Sequence, residues 1–158
     1  MHKAFEQMII QNQGRIRYIA SRNSHANDFE DMYQEILMQL WRSFDSFDGK
    51  SARETWVYKV ALNTAYTYVR KSIKQKEGIQ NMPPINISEP AQDNCQAEIL
   101  QSFMDKLNDI DASILMMYLD GLTSEDTADV VGISSNAVRA RIKRIKQEFE
   151  HQYIEEQS

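Results

Sequence analysis

The stretch Ser124-Glu125-Asp126-Thr127-Ala128-Asp129-Val130-Val131-Gly132-Ile133-Ser134-Ser135-Asn136-Ala137-Val138 carries the punctuation of two helices and the turn between them. Gly132 closes a short helical run, and glycine takes the left-handed conformation of a helix C-cap at little cost. Ala128, four residues earlier, is small enough to let a second helix cross closely. Ile133 is placed to plug the core beneath the turn, and Ser134 or Ser135 to cap the helix that follows. Beyond the turn, Val138, Ile142, Ile145 and Phe149 recur at spacings of four, three and four, which makes a buried stripe. Thr127 departs from the pattern, because its buried position usually holds leucine or isoleucine. The arrangement is that of a helix-turn-helix whose second helix enters the DNA major groove N-terminus first.

The face opposite that stripe carries Ser135, Asn136, Arg139, Lys143 and Lys146, with Ala137, Arg141 and Arg144 on its flanks. Asn136, Ala137 and Ala140, near the helix start, are short enough to approach base edges or a thymine methyl. Arg139 and Arg141 reach guanine or phosphate. Lys143, Arg144 and Lys146 suit phosphates, which set register. Neutralising about three phosphates would lower affinity on the order of 40-fold between 50 and 200 mM salt. A charge run by itself is more simply a solvated face, and a helical hairpin of a bundle that never meets DNA is the plainer alternative. The coincidence of caps, small residue and basic face favours DNA.

The net charge of the chain argues against nucleic acid, and the distribution of that charge argues for it. Its 158 residues hold 18 Lys and Arg against 23 Asp and Glu, a formal charge of −5. Residues 98–158 hold 6 basic and 12 acidic groups, yet five of those six (Arg139, Arg141, Lys143, Arg144, Lys146) lie in one acid-free stretch of eight residues. An acidic lobe with one basic helix fits an anionic ligand met at one place.

The remaining apolar spacing is helical throughout, so the expected fold class is all-α, in two small domains joined by a flexible linker. In the first domain, residues 1–71, one helix is carried by Phe5, Met8, Ile9, Ile16 and Ile19, with Gly14 out of place. A second runs from Phe29 to Phe44 through Met32, Tyr33, Ile36, Leu37, Leu40 and Trp41, with Asp28 as its candidate cap. A third runs from about Thr55 to Ser72, with Trp56, Val57, Val60, Ala61, Tyr68 and Val69 toward the core. Residues 72–97, holding all three prolines (Pro83, Pro84, Pro90) and Gly78 among polar residues, read as the linker. Fully extended, those 26 residues would reach about 85 Å. In the second domain, residues 98–158, helices start at Ile99 and Ile114 and precede the helix-turn-helix.

The stretch Asp28-Phe29-Glu30-Asp31-Met32-Tyr33-Gln34-Glu35-Ile36-Leu37-Met38-Gln39-Leu40-Trp41, followed by Phe47-Asp48-Gly49 and Thr55-Trp56-Val57-Tyr58-Lys59-Val60-Ala61-Leu62-Asn63-Thr64-Ala65, resembles the second conserved region of bacterial sigma factors. With the helix-turn-helix behind it, nearly the whole chain is similar to the two-domain extracytoplasmic-function class. The resemblance implies that Asp31, Gln34, Glu35 and Met38, which share one helix face, dock on the clamp helices of the large subunit of core RNA polymerase. It implies that the Ser46–Ala52 loop and the third helix hold unwound minus-ten DNA, with Ser46, Asp48, Lys50, Lys59, Asn63, Tyr66 and Arg70 as contacts. Bases out of the stack, captured on aromatic faces, contribute roughly 1–3 kcal/mol each. Ser135, Asn136, Ala137, Arg139, Ala140, Arg141, Lys143 and Arg144 would then read the minus-thirty-five element, and an anti-sigma protein is an implied partner. The chain departs from the family at Arg53 and Glu54, where an apolar and a basic residue are usual, and at Leu62, where an arginine often precedes the asparagine.

Other classes lose support. No run approaches eighteen apolar residues and the N-terminus lacks a signal peptide, so a cytoplasmic protein without membrane insertion of its own is expected. A single cysteine, Cys95, and three scattered histidines make neither an internal disulfide nor a zinc site. No phosphate-binding glycine loop, nucleophile elbow or HExxH occurs, so neither enzyme nor cofactor is expected. The rival reading is a helix-turn-helix regulator whose first domain senses a ligand or dimerises.

Overall fold

The computed structural model describes residues 2–24, 27–75 and 95–155, and every regular element in them is helical. The chain divides into two compact units, Met1–Asn86 and Ile87–Ser158.

In the first unit, α1 (His2–Asn23), α2 (Phe29–Ser43) and α3 (Arg53–Gln75) pack on one another in all three pairings, and a short 3-10 turn (Phe44–Ser46) follows α2. The core is a set of helical stripes: Met8, Ile16, Ile19 and Ala20 from α1, and Met32, Ile36 and Leu40 from α2. Each buried aliphatic side chain of this size contributes about 1.5–3 kcal/mol. Gly14 lies within α1 on the exposed face, where a glycine weakens the helix without breaking it. Asn12 is buried in the same helix and donates from Nδ2 to the Met8 carbonyl at 2.8 Å while its Oδ1 accepts from Arg15 at 2.8 Å. Asp28 stands at the N-cap position of α2, but its side chain makes no capping hydrogen bond because its backbone is itself in the right-handed helical region.

Helix α3 buries a stripe rotated from the expected one. Val57 and Ala61 are buried as anticipated, but Tyr58, Leu62 and Ala65 join them, while Trp56, Val60, Tyr68 and Val69 are only half-buried. The centre of the face thus runs through Val57, Tyr58, Ala61, Leu62 and Ala65, and Trp56 and Tyr68 stand at its margins. Leu62 is buried because it lies on this stripe.

In the second unit, α4 (Cys95–Lys106), α5 (Asp109–Leu119), α6 (Ser124–Val131) and α7 (Ser135–Glu155) follow in order, with α5, α6 and α7 in mutual contact and α4 against α5. Side-chain caps start α5, α6 and α7: Asn108 accepts from the Asp111 N–H at 2.8 Å, Thr123 from Asp126 at 3.1 Å, and Ser134 from Ala137 at 3.1 Å. Gly132 ends α6 at φ 79°, ψ 29°, and its N–H donates to the Ala128 carbonyl at 2.9 Å. Ala128, Val138 and Ile142 close on Ile114 of α5, with Val131 and Ile133 packed at the edge. Thr127 is buried as anticipated. Helix α7 outruns its expected end at Phe149, because Phe149 and Tyr153 meet Phe103 of α4 edge-on at 5.1 and 6.2 Å between ring centroids. The Tyr153 hydroxyl adds a hydrogen bond to the Ile99 carbonyl at 3.3 Å.

Helix also occupies both ends of the segment read as a linker: α3 continues to Gln75 and α4 begins at Cys95. Residues 76–94, with the three prolines and Gly78, lie outside the described residues.

Candidate nucleic-acid interface

The cap at Ser134 and the glycine turn fix where α7 begins, and its outer face follows from the buried stripe. Asn136, Arg139, Ala140 and Lys143 fall on one exposed strip, with Ser135 and Ala137 half-buried at its start. Within the strip, Arg139 donates to Asn136 Oδ1 at 2.9 Å and pairs through its other terminal nitrogen with Glu125 of α6. The ammonium of Lys146 stands 4.4 Å from the centroid of the Tyr118 ring.

Arg141 and Arg144 turn aside from this strip. Arg141 Nη1 donates to Asp111 Oδ1 at 2.9 Å, and Arg144 Nη2 to Asp111 Oδ2 at 2.7 Å. Asp111 comes from the first turn of α5, and only 6% of its side chain is exposed. Of five cations on the helix, four therefore already have an anionic or aromatic neighbour inside their own lobe. None of these neighbours was legible in the sequence. Asp111 lies 30 and 33 positions from its partners and Glu125 lies 14 from Arg139, distances that no periodicity spans.

In the first unit, Asp31, Gln34 and Met38 are exposed along α2 and Glu35 is half-buried between them. Gln39 donates to the Glu35 carboxylate at 3.2 Å. Tyr68 of α3 stands beside this strip: burial first, and then the Asp28, Asp31 and Glu35 carboxylates, push its phenol above the usual value. On the side of α2 that meets α1, Phe5, Glu6, Ile9, Ile10 and Leu37 line an open apolar groove. Ile10, Met38 and Trp41 are large apolar residues left exposed.

Lys59, Asn63, Tyr66 and Arg70 lie at spacings of four, three and four on α3, and so form a single strip; the first, second and fourth are exposed and Tyr66 is half-buried. Ser46, Asp48 and Lys50, in the loop that precedes α3, make local bonds. Ser46 Oγ donates to the Ser43 carbonyl at 2.7 Å, and Asp48 accepts from the Lys50 N–H at 3.0 Å. The Lys50 ammonium also lies 3.8 Å from Asp48, on open surface where such pairs add little.

Beneath that loop lies the departure at Arg53. Its guanidinium sits 4.2 Å from the centroid of Phe47, 5.0 Å from Phe44 and 5.9 Å from Trp56. Phe44 and Trp56 also meet edge-on at 6.5 Å, and Phe47 and Trp56 in a tilted arrangement at 5.5 Å. The charge thus rests on aromatic faces, where an apolar side chain would rest by packing alone. Its Nη1 is buried with no hydrogen-bond partner.

A three-helix lobe with an acidic strip and a mixed aromatic and basic strip, followed by a capped helix-turn-helix, defines a two-domain helical protein of the DNA-binding class. Residues 8–74 match the family Sigma-70 region 2, and residues 97–149 match Sigma-70, region 4. The ECF RNA polymerase sigma-E factor of Haemophilus influenzae is 27% identical over 164 residues, covering 94% of this chain and 87% of its own. The sigma-E factor of Escherichia coli is also 27% identical, covering 94% and 86%. Among solved structures, the sigma factor RpoE in complex with the anti-sigma factor NepR from Bartonella quintana superposes with a TM-score of 0.78 at 21% identity, over 94% of this chain and 96% of that one. CnrH in complex with the cytosolic domain of CnrY superposes at 0.64 with 18% identity, over 96% and 88%. The chain belongs to the sigma-70 family of bacterial RNA polymerase sigma factors, in its extracytoplasmic-function class.

Proposed function

We propose that this chain is a promoter-specificity subunit of bacterial RNA polymerase: it binds core enzyme, opens the minus-ten element with its first lobe and reads the minus-thirty-five element with its second. The observation that carries this is the presence of both family regions, in order, over residues 8–74 and 97–149. In this reading the lobes are residues 1–71 and 98–158, joined through 72–97. Asp31, Gln34, Glu35 and Met38 dock on the clamp helices, where acids suit basic groups and the exposed Met38 and the apolar groove next to Leu37 supply surface to bury. Ser46, Asp48, Lys50, Lys59, Asn63, Tyr66 and Arg70 hold the single-stranded minus-ten DNA, a basic strip interleaved with an aromatic, as single-strand binding requires. Asn136, Ala137 and Ala140 read base edges and Arg139 reaches guanine or phosphate, with Ser135, Arg141, Lys143 and Arg144 on the backbone.

The protein acts by binding and not by catalysis. Capture of unstacked bases offsets the cost of unpairing, so no nucleotide hydrolysis is invoked. The sigma factor RpoE from Bartonella quintana was solved in complex with the anti-sigma factor NepR, and an anti-sigma protein is inferred here as well. No helix among the described residues is long and apolar enough to cross a membrane, in keeping with a cytoplasmic site of action.

The test is run-off transcription from promoter libraries with bacterial core polymerase, with and without the protein. Transcripts that need the protein, and that weaken with Asp31→Ala or Gln34→Ala, are the expected result. A protein that shifts duplex DNA alone and gives core no new start sites would instead be a free-standing regulator.

A further inference from the structure

The cluster around Asp111 combines burial, charge and connection to the reading helix. A carboxylate with 6% of its side chain exposed receives Arg141 on one oxygen at 2.9 Å, and Arg144 on the other at 2.7 Å. Asn108, the cap of α5, donates from Nδ2 to the second oxygen at 3.1 Å and accepts from the Asp111 N–H at 2.8 Å. Asp111 is thereby fixed at both its backbone and its side chain, on the first turn of a helix whose dipole also favours its charge. The arginines are fixed only at one end. Arg141 keeps 33% and Arg144 52% of its side chain exposed; Arg144 Nε also lies 3.7 Å from Glu148 on open surface, and each guanidinium has five donors, so these contacts leave others open.

A buried anion inside a DNA-reading lobe can act with either sign. It can withhold cations from DNA, or it can hold them at the angle DNA needs. The burial decides between them: an anion this enclosed projects little field into solvent, while two rotamer-rich side chains anchored at their tips lose freedom before DNA arrives. We propose that Asp111 is a positioning residue for minus-thirty-five binding, holding Arg141 and Arg144 so that their free N–H groups meet backbone phosphates. This rests on the promoter-binding reading above and adds to it a residue that does not itself touch DNA.

The test uses holoenzyme assembled from bacterial core polymerase and the full chain, on a promoter duplex selected by that same wild-type holoenzyme. Affinity is measured across salt. Each phosphate that is no longer neutralised makes the slope of log affinity against log salt shallower by about 0.9, which is about eightfold in affinity at 0.1 M salt. D111N should therefore weaken binding about eightfold if one arginine no longer reaches its phosphate, and about 60-fold if neither does. Added to R141Q/R144Q, D111N should cost nothing further, because its effect runs through those two side chains; a purely structural carboxylate would cost the same in either background. R144K, which retains the charge but offers an ammonium in place of the fork, should weaken binding severalfold, and it keeps the test open if D111N does not fold.

Tighter binding with a steeper slope in D111N would mean that Asp111 withholds the arginines, and would overturn the proposal. An unchanged slope in D111N, or wild-type affinity in R144K, would overturn it too. If wild-type protein gives core no promoter-specific transcription, the sigma reading itself fails, an outcome visible before any variant is made.

Discussion

Gly14 and Gly132 allow one substitution to be run twice with opposite expected signs. At both, a Cβ would meet no heavy atom within 4 Å, so replacing either by alanine changes backbone energetics alone. Gly132 sits at φ 79°, where an L-residue is penalised by about 1–2 kcal/mol. Alanine also stiffens the unfolded chain, which returns about 0.4–1 kcal/mol. The net expectation for Gly132→Ala is a loss of about 1 kcal/mol from the second lobe. Gly14 lies within α1, where alanine is favoured over glycine by about 1 kcal/mol, so Gly14→Ala should stabilise the first lobe by that amount. For domains of this size, 1 kcal/mol corresponds to about 4–8 °C in Tm. The lobes can be followed separately, because both tryptophans, Trp41 and Trp56, belong to the first. Tryptophan fluorescence should report a raised midpoint for Gly14→Ala and none of the change for Gly132→Ala. Amide exchange in α6 and α7 should report the reverse. A Gly132→Ala protein with unaltered exchange in those helices, or a Gly14→Ala protein with a lowered fluorescence midpoint, would refute the reasoning from backbone conformation.

Thr55 is 2% exposed and its Oγ1 is buried without a partner, so Thr55→Val should raise stability by about 1 kcal/mol, read as a higher urea midpoint at an unchanged m-value. Ser134→Ala removes the cap of α7 and should destabilise the second lobe by about 0.5–2 kcal/mol in thermal melts; no effect would mean that the bond to the Ala137 N–H is dispensable. Glu125 differs from Asp111 in that 65% of its side chain is exposed, which makes it a competitor with phosphate for Arg139. Glu125→Gln should accordingly tighten promoter binding by the holoenzyme and steepen its salt slope by up to about 0.9, and a weaker complex would show that Glu125 orients Arg139 instead.

What the sequence made legible is what short-range periodicity carries. The helix-turn-helix was readable over α6, Gly132 and the start of α7, with the cap left open between Ser134 and Ser135, because glycine, serine cap and the four-three-four stripe all act within a few positions. The order of the lobes was readable for the same reason. Two kinds of feature were not. The register of α3 is set by how three helices share a core, so Tyr58, Leu62 and Ala65 won the central positions over the more conspicuous Trp56 and Tyr68. The electrostatic neighbours of the reading helix join residues that only the fold brings together. Arg53 falls between these cases: its oddity was plain, but its compensation by three rings was not, since Phe44, Phe47 and Trp56 look like ordinary core residues in a linear reading.

Those internal neighbours also reconcile a chain of charge −5 with binding to DNA. Glu125 engages Arg139 on open surface, so random DNA offers that side chain an exchange of partners and little net attraction, while Asp111 holds Arg141 and Arg144 with N–H groups to spare. Productive binding then needs something further, in the form of correct base edges at Asn136 to Ala140 or a second anchor that raises the local DNA concentration. In the proposed function the first lobe is that anchor. Docking on polymerase and gripping the minus-ten strand, it converts the second lobe's encounter into an event on the same molecule, where modest affinity suffices. An excess of free cations on α7 would bypass that requirement and commit the protein to DNA without polymerase. In the proposed function the acidity of the second lobe is therefore part of its selectivity, with Glu125 restraining the exposed rim of the reading helix while Asp111, as proposed, organises its flank.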